Sequence, residues 1–486
     1  MGTKINIIFL CGGTGSRLWP LSTPDYPKQF LSIQDGKSLL YQSISRILEL
    51  ENLQIKIESM IFVTNEKYQF MIKDHLPKSI NKKIEIKIIN ESEKKNTAPA
   101  LTLSCMELKY TNKSNKPTLV LSTDHFFDNI KNFSDKILHA INELEKKSIS
   151  LFGVKPEGCN TELGYIIPQK RDSECSYKHS EIVDKFIEKP SIEKLRTLSN
   201  KNNIYVNLGI FLLYPEDWLN VVKENKNKLY TQIEKTFNSR KSKDGFISFS
   251  NNVFKKINPI SIDYAVVEKF KLYNLLLKFY EVNSKWSDLG TWKAIYNYAN
   301  KDKDGNALMD YEHNNLLINS KNNLIDSNNI ILNNVNNLVV VNKDNKLYIS
   351  NFKSLPDDLL SEDHFNYFLK LPKTYEKRPW GSFQILNDGS GYKVKKIIVL
   401  PGCSLSLQSH NKRSEHWIVI EGSATVQNDN KTFILKKNCS TFINKNTKHR
   451  LTNKSRKNKL IIIEVQSGSY LGEDDIIRYE DKYSRV

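Results

Sequence analysis

Three glycines and an arginine follow the first apolar run of the chain, in IIFLCGGTGSRLWP (Ile7 to Pro20), and Lys28 comes soon after. Gly12, Gly13 and Gly15 let backbone N–H groups approach phosphate oxygens, and a following helix N-terminus adds a favourable dipole. Arg17 and Lys28 supply mobile positive charge for a triphosphate or a departing pyrophosphate. A dinucleotide GxGxxG starting at Gly13 requires glycine where Leu18 stands, and a P-loop requires a GK[ST] ending that this turn lacks. The stretch reads as a phosphate cradle of another kind. Far downstream, LSLQSHNKRSEHWIVIEG gathers Gln408, His410 and Glu415. Gln408 and His410 share one face of a strand because side chains alternate, Glu415 closes on them from the adjoining strand, and NKNTKHRLTN adds His449. His416 points to the opposite face and stays outside the set. Such donors around a barrel interior make a borderline divalent-metal site, for zinc or a similar ion.

The elements that must carry these residues change in texture along the chain. From Ile5 to about Tyr296, β-type runs such as INIIFL, SMIFVTN, PTLVLSTD and ISLFGVKP alternate with SLLYQSISRILEL and FSDKILHAINELEKK, which are apolar at helical spacing. That alternation predicts an α/β nucleotide-binding domain with a mainly parallel, Rossmann-like sheet over residues 1–300. Short aliphatic rungs with Asn, Ser and Asp corners follow and predict a short β-solenoid segment over 301–360. The stretch LPDDLLSEDHFNYFLKLP reads as a linker helix, placed at 361–377, and β-type runs separated by turns predict an all-β jelly-roll barrel over 378–486.

Composition narrows the function classes. The 39% hydrophobic content, with 10% aromatics, suits packed domains rather than disorder or a fibre. Apolar runs such as Ile7 to Cys11 and Leu460 to Ile463 are far too short to span a membrane, and the N-terminus shows no secretory pattern. The expectation is a cytoplasmic protein without a membrane partner. Cys11, Cys105, Cys159, Cys175, Cys403 and Cys439 lie far apart and read as free thiols. The net charge of +18 is spread along the chain among asparagines, with no nucleic-acid motif, so no nucleic-acid partner is expected.

GGTGSRLWPLSTPDYPKQFL resembles the signature of sugar-phosphate nucleotidylyltransferases, most closely that of mannose-1-phosphate guanylyltransferases. The likeness continues in order through NTAPA, STDHFFDN, ELGYI, FIEKP, NLGIFLL, SIDYAVVEK and WSDLGTW. It implies that Gly12, Gly13, Gly15, Arg17, Lys28 and Asn96 bind the nucleotide, that Asp124 and Asp288 hold Mg²⁺, and that Gly164, Glu188, Lys189 and Asn207 line the sugar-phosphate pocket. Taken one at a time, Asp124 reads equally as a helix cap, Glu188 and Lys189 as a surface pair, and Asp288 as a turn residue.

The C-terminal stretch resembles a cupin through E(x)6G, Glu415 to Gly422, and H(x)3N, His449 to Asn453. It departs in Gln408, where a first histidine is usual, and in Asn444 and Asn446, where Pro and Gly are common. RPWGSF, QSHNKRSEHW and EVQSGSYLGEDDIIRYEDKYSR narrow the resemblance to the mannose-6-phosphate isomerase half of bifunctional guanylyltransferase/isomerase enzymes. The implied partners are GTP, mannose 1-phosphate, fructose 6-phosphate and mannose 6-phosphate, with Arg413 contacting the substrate or its phosphate. The alternative is a guanylyltransferase whose barrel is a non-catalytic binding or oligomerisation module, and a homo-oligomer is left open.

Overall fold

The computed structural model describes residues 2–13, 15–34, 36–81, 83–169, 179–199, 203–309, 314–343, 346–352 and 375–480. Chain contacts divide the protein into a larger unit, mostly residues 1–325, and a smaller one, mostly residues 358–486.

The first strand, Lys4–Leu10, is buried along almost its whole length, which explains the apolar run Ile7 to Leu10 within it. Alternation splits it between two cores. Ile8 and Leu10 join one with the helices Thr97–Tyr110, Pro215–Asn225 and Asn227–Phe237. Ile5, Ile7 and Phe9 join the other, with the helices Leu39–Leu48 and Ile130–Asn142. Leu40, Ile44 and Ile47 are buried on the first of these last two, whose N-terminus Ser38 caps by accepting from Tyr41 N at 3.1 Å.

Eleven strands form the sheet among the described residues. Lys4–Leu10 lies parallel between Lys56–Asn65 and Thr118–Ser122, and Glu85–Glu91 continues the parallel run beyond Lys56–Asn65. The expectation of a mainly parallel sheet fails on the other side. Tyr205–Leu213 runs antiparallel to both Thr118–Ser122 and Ser148–Val154, and Gly164–Pro168 and Glu181–Glu188 pair antiparallel with each other. The sheet is mixed. No helix lies between Ser148–Val154, Gly164–Pro168 and Glu181–Glu188 among the described residues, and a parallel neighbour needs a long crossover.

After this sheet, Ala307–Leu308 pairs parallel with Leu324–Asp326, and Leu316–Ile318 with Ile331–Asn333. Between such rungs Asn323 Nδ2 donates to Asn306 Oδ1 at 3.0 Å, and Leu338 N donates to Asn323 Oδ1 at 2.9 Å. Asparagine also makes corners: Asn319, Asn322, Asn329, Asn334 and Asn337 all have positive φ.

Most of the expected linker helix, 361–374, lies outside the described residues; from Tyr375 the chain is a strand, Tyr375–Arg378, paired antiparallel with Gly381–Gly389. The smaller unit has two antiparallel sheets, of six and five strands among the described residues. Trp417, Val419 and Ile462 from one and Ala424, Val426 and Leu451 from the other share a single core.

Candidate active sites

The glycine turn leaves the sheet at the carboxyl end of the first strand. Gly12 and Gly13 are exposed, and Gly13 has φ +108°. Gly15 is packed: a Cβ there would lie 2.6 Å from Lys28 Cβ and 2.7 Å from Ser22 Oγ, so a larger residue would push Lys28 aside. The expected helix dipole is not provided, because the turn leads into a single 3-10 turn, Ser16–Leu18, too short to build one.

Lys28 is the meeting point of distant segments. Its ammonium is 2.9 Å from Asp124 Oδ2 and donates to the main-chain carbonyl of Asp288. A short ladder holds those acidic loops together: Trp286 pairs with Phe127, and Ser287 with Phe126. Asp124 caps no helix, since the next one, Ile130–Asn142, is capped by Asn129. Burial opposes ionisation of Asp124, but Lys28, His125 and the Ser122 hydroxyl outweigh it and hold the carboxyl at about 2. Burial lowers the pKa of His125 against the pull of Asp124 and Asp288, so its imidazole stays neutral near pH 7. Asp288 is also a turn residue, its Oδ1 accepting from Gly290 N at 3.0 Å. Hard carboxylate oxygens beside a phosphate cradle are the donors that Mg²⁺ takes, and Asp124 is ionised for the purpose, so the set fits that ion.

Two cavities flank this point. One, of about 520 Å³, is lined by Arg17, Asp288, Tyr165, Lys189 and Trp286, and the other, of about 530 Å³, by Gly12, Gly13, Asn96 and Asp263. Asn96 has φ +68° and accepts from Thr97 N at 2.8 Å, which presents the start of the helix Thr97–Tyr110 to the second cavity. Gly164, Glu188 and Asn207 converge: a Cβ on Gly164 would lie 2.5 Å from Glu188 Oε2 and 3.5 Å from Asn207 Cβ. Lys189, on the wall of the first cavity, pairs with Glu162 of the same wall at 3.1 Å, both exposed.

Asp263, not singled out from sequence, accepts from Asn207 Nδ2 at 3.2 Å. Burial and Glu268 push its carboxyl up to about 6, and burial with Asp263 pushes Glu188 up to about 7. The clue was an acid beside buried Ile262 in SIDYAVVEK. Gly164→Ala is expected to displace Glu188 and raise KM for the sugar phosphate about tenfold, with KM for the nucleotide unchanged, as steady-state kinetics will show.

In the smaller unit, Gln408 and His449 face each other across paired strands. His410 Nε2 is 3.0 Å from Glu415 Oε1 and His449 Nε2 is 3.6 Å from Glu415 Oε2, all three residues being buried. Their donor atoms lie within 4.8 Å of one another, and His449 Nε2 has no hydrogen-bond partner. An orphaned imidazole nitrogen beside a carboxylate fits a divalent metal. Gln408 adjoins the set, its Nε2 3.4 Å from His410 Nε2. His416 lies on the other face, with its ring edge-on to Phe442.

Burial disfavours the Glu415 anion, yet His410, His449 and Arg413 hold its carboxyl far below the usual range, while burial lowers His449 against the pull of Glu415. Arg413 is buried and engaged, donating from Nε to Glu415 Oε1 at 3.2 Å and from an Nη to Gly472 O at 2.8 Å. Trp417, Glu464 and Gln466 were missed. Trp417 Nε1 donates to Glu415 at 3.2 Å and to Glu464 at 3.0 Å, and Gln466 Nε2 reaches Glu464 at 2.8 Å. Polar residues at inward positions of the apolar run LIIIEVQ were the available signal.

An α/β domain whose glycine turn leads to Lys28, which holds both Asp124 and the Asp288 loop, is followed by an all-β domain with a buried His–Glu–His set that could hold a metal, and this defines a nucleotidyltransferase with a second domain. Residues 6–305 match the Nucleotidyl transferase family and residues 371–481 the Mannose-6-phosphate isomerase C-terminal family. The chain belongs to the mannose-1-phosphate guanylyltransferase/mannose-6-phosphate isomerase family. It is 32% identical to a mannose-1-phosphate guanylyltransferase of Klebsiella pneumoniae, covering 98% of this chain and 99% of the relative. It is also 32% identical to the alginate biosynthesis protein AlgA of Pseudomonas aeruginosa, over 99% of this chain and 97% of that one. A solved mannose-1-phosphate geranyltransferase of Thermus thermophilus shares the fold at TM-score 0.60 and 21% identity, covering 72% of this chain and 95% of its own. No helix among the described residues is long and apolar enough to cross a membrane.

Proposed function

We propose that the protein transfers GMP from GTP to mannose 1-phosphate, and that its barrel interconverts fructose 6-phosphate and mannose 6-phosphate. The observation that carries the transfer is Lys28, tied at once to Asp124 and to the Asp288 loop at the edge of the glycine turn. A phosphate oxygen of the sugar attacks the α-phosphorus in line, the bond from that phosphorus to the bridging oxygen breaks, and pyrophosphate leaves. The chain mainly positions and neutralises. Gly12, Gly13 and Gly15 turn backbone toward the phosphates, Arg17 and Lys28 meet their charge, and Gly164, Glu188, Asn207 and Lys189 orient the sugar phosphate. Mg²⁺ held by Asp124 and Asp288 would draw charge from the phosphate oxygens. Of GTP, UTP, dTTP and ATP tested against mannose 1-phosphate and glucose 1-phosphate, GTP with mannose 1-phosphate is expected to release pyrophosphate fastest. Faster turnover of another pair would replace this reading.

In the barrel, a divalent cation such as zinc, held by His410, Glu415 and His449 with Gln408 alongside, would polarise the sugar's carbonyl and hydroxyl oxygens. The proton moves between adjacent sugar carbons. Arg413 borders the space beside Gln408 and Glu415, where it would meet the substrate or its phosphate while its Nε donates to Glu415. One observation favours a second reading, a barrel that binds or oligomerises without turnover: among the described residues the space beside Gln408, Arg413 and Glu415 is about 50 Å³, far below ordinary ligand cavities. For the rest of the architecture, the parallel rungs support a short solenoid over 301–360, and the two antiparallel sheets sharing one core support a cupin over 378–486.

A further inference from the structure

Among the described residues three carboxylates, Glu415, Glu464 and Glu473, line the small space beside Gln408 and Arg413. Glu415 belongs to the candidate metal set. Glu464 is 4% exposed and has both oxygens engaged, Oε1 by Trp417 Nε1 at 3.0 Å and Oε2 by Gln466 Nε2 at 2.8 Å. Glu473 is set differently. Its Oε1 accepts from Lys395 Nζ at 2.6 Å, and its side chain is 45% exposed where that of Lys395 is 6% exposed, so the carboxylate stands where the space meets solvent. Partial burial opposes its ionisation, yet Lys395, Arg413 and Arg378 hold the carboxyl below the ordinary range. Near pH 7 it is an anion that can accept a proton.

The turn that carries Glu473 is fixed to the metal set. Glu473–Asp475 is a single 3-10 turn, with Lys412 N donating to Asp475 Oδ2 at 3.0 Å and Tyr470 OH to Asp474 Oδ1 at 2.7 Å. Arg413 spans the gap, donating from Nε to Glu415 Oε1 and from an Nη to the carbonyl of Gly472. One buried arginine thereby ties a candidate metal ligand to the residue just before Glu473. Lys395 reaches the carboxylate from another strand, Tyr392–Val399. A group that must meet one carbon of a bound sugar needs this kind of fixed placement.

We propose that Glu473 is the base that carries a proton between carbons 1 and 2 of the sugar phosphate, with Lys395 as its positioning residue. The proposal rests on the reading of the barrel as an isomerase. From fructose 6-phosphate, Glu473 takes a proton from carbon 1. The electron pair of that C–H bond forms the double bond between carbons 1 and 2, and the carbonyl pair moves onto the oxygen of carbon 2. The hydroxyl proton on the oxygen of carbon 1 then passes to that oxygen, the aldehyde forms at carbon 1, and carbon 2 takes the proton back from Glu473. No other reactant is consumed.

The experiment gives fructose 6-phosphate to the full-length protein, as purified, in deuterium oxide, and follows by NMR the deuterium at carbon 1 of that sugar and at carbon 2 of mannose 6-phosphate. Because Glu473 reaches solvent, the native protein is expected to place deuterium at both. Glu473→Gln keeps an oxygen for Lys395 but takes no proton, and is expected to slow isomerisation and exchange about 10²- to 10⁴-fold. KM for fructose 6-phosphate, metal content after dialysis and thermal melting should stay at their native values. Glu473→Asp should recover part of the rate. Lys395→Met is expected to move the acid limb of the isomerisation pH profile upward, since the cation that most depresses the Glu473 carboxyl is gone. Native rates in Glu473→Gln overturn the assignment and leave the isomerase standing, as does native turnover with no deuterium at either carbon. A native protein that neither isomerises nor exchanges removes the isomerase reading and the base with it.

Discussion

Replacing Lys28 by alanine is expected to slow GMP transfer by about 10²- to 10³-fold, the cost of losing one preorganised charge at a phosphoryl centre. Only 8% of this side chain is exposed, and its ammonium holds two segments that are far apart in sequence. Truncation removes a cation from the phosphate path and a tether from the Asp288 loop. It also removes the strongest force keeping Asp124 ionised, so the acid limb of the transfer pH profile should move upward from the region near 2. Lys28→Arg keeps the charge with altered geometry and should recover part of the rate. Pyrophosphate release reports the loss, and thermal melting of the same sample controls for protein integrity. Near-native transfer by Lys28→Ala would remove the lysine from the mechanism.

The second large effect belongs to Glu415. Glu415→Ala is expected to weaken metal retention by at least about 100-fold, a size that outer partners of a metal ligand alone can carry, and to abolish isomerisation while transfer continues. The substitution takes the carboxylate from buried Arg413 and His410, and breaking a buried pair costs roughly 3–5 kcal/mol. Glu415→Gln, which keeps an acceptor, is therefore the companion variant. Metal content after dialysis and a coupled fructose 6-phosphate assay measure the outcome. Metal retained at the native level in both variants would show that Glu415 is no ligand, and metal without turnover in the native protein would make the barrel a binding module.

The barrel cluster was legible because alternation settles which side chains share a face over a few residues. Gln408, His410 and Glu415 lie within one turn and its flanking strands, and His449 needed only the strand partner that Gln408 provides. The phosphate turn was legible for a similar local reason. Nothing local shows which way a strand runs inside a sheet, and the antiparallel course of Tyr205–Leu213 between two partners was lost to that. Asp263 was missed because its neighbour Asn207 lies on a distant strand, and the engagement of Arg413 with Gly472 arises only on folding. Lys28 was visible as a charge, but its hold on the Asp288 loop was not.

The asparagine corners bear on the state that folding leaves behind. Asn446 takes φ +61° where relatives of its motif commonly have glycine, and its N–H still donates to His410 O at 2.7 Å, so that bend is made without glycine. Asparagine tolerates left-handed backbone better than other residues with a Cβ, yet wanders less than glycine when the chain is loose. Each such corner spares the unfolded ensemble some freedom, an entropic gain of up to roughly 1 kcal/mol before the local strain is subtracted. A sequence rich in asparagine thereby makes tight bends while keeping its denatured form comparatively stiff.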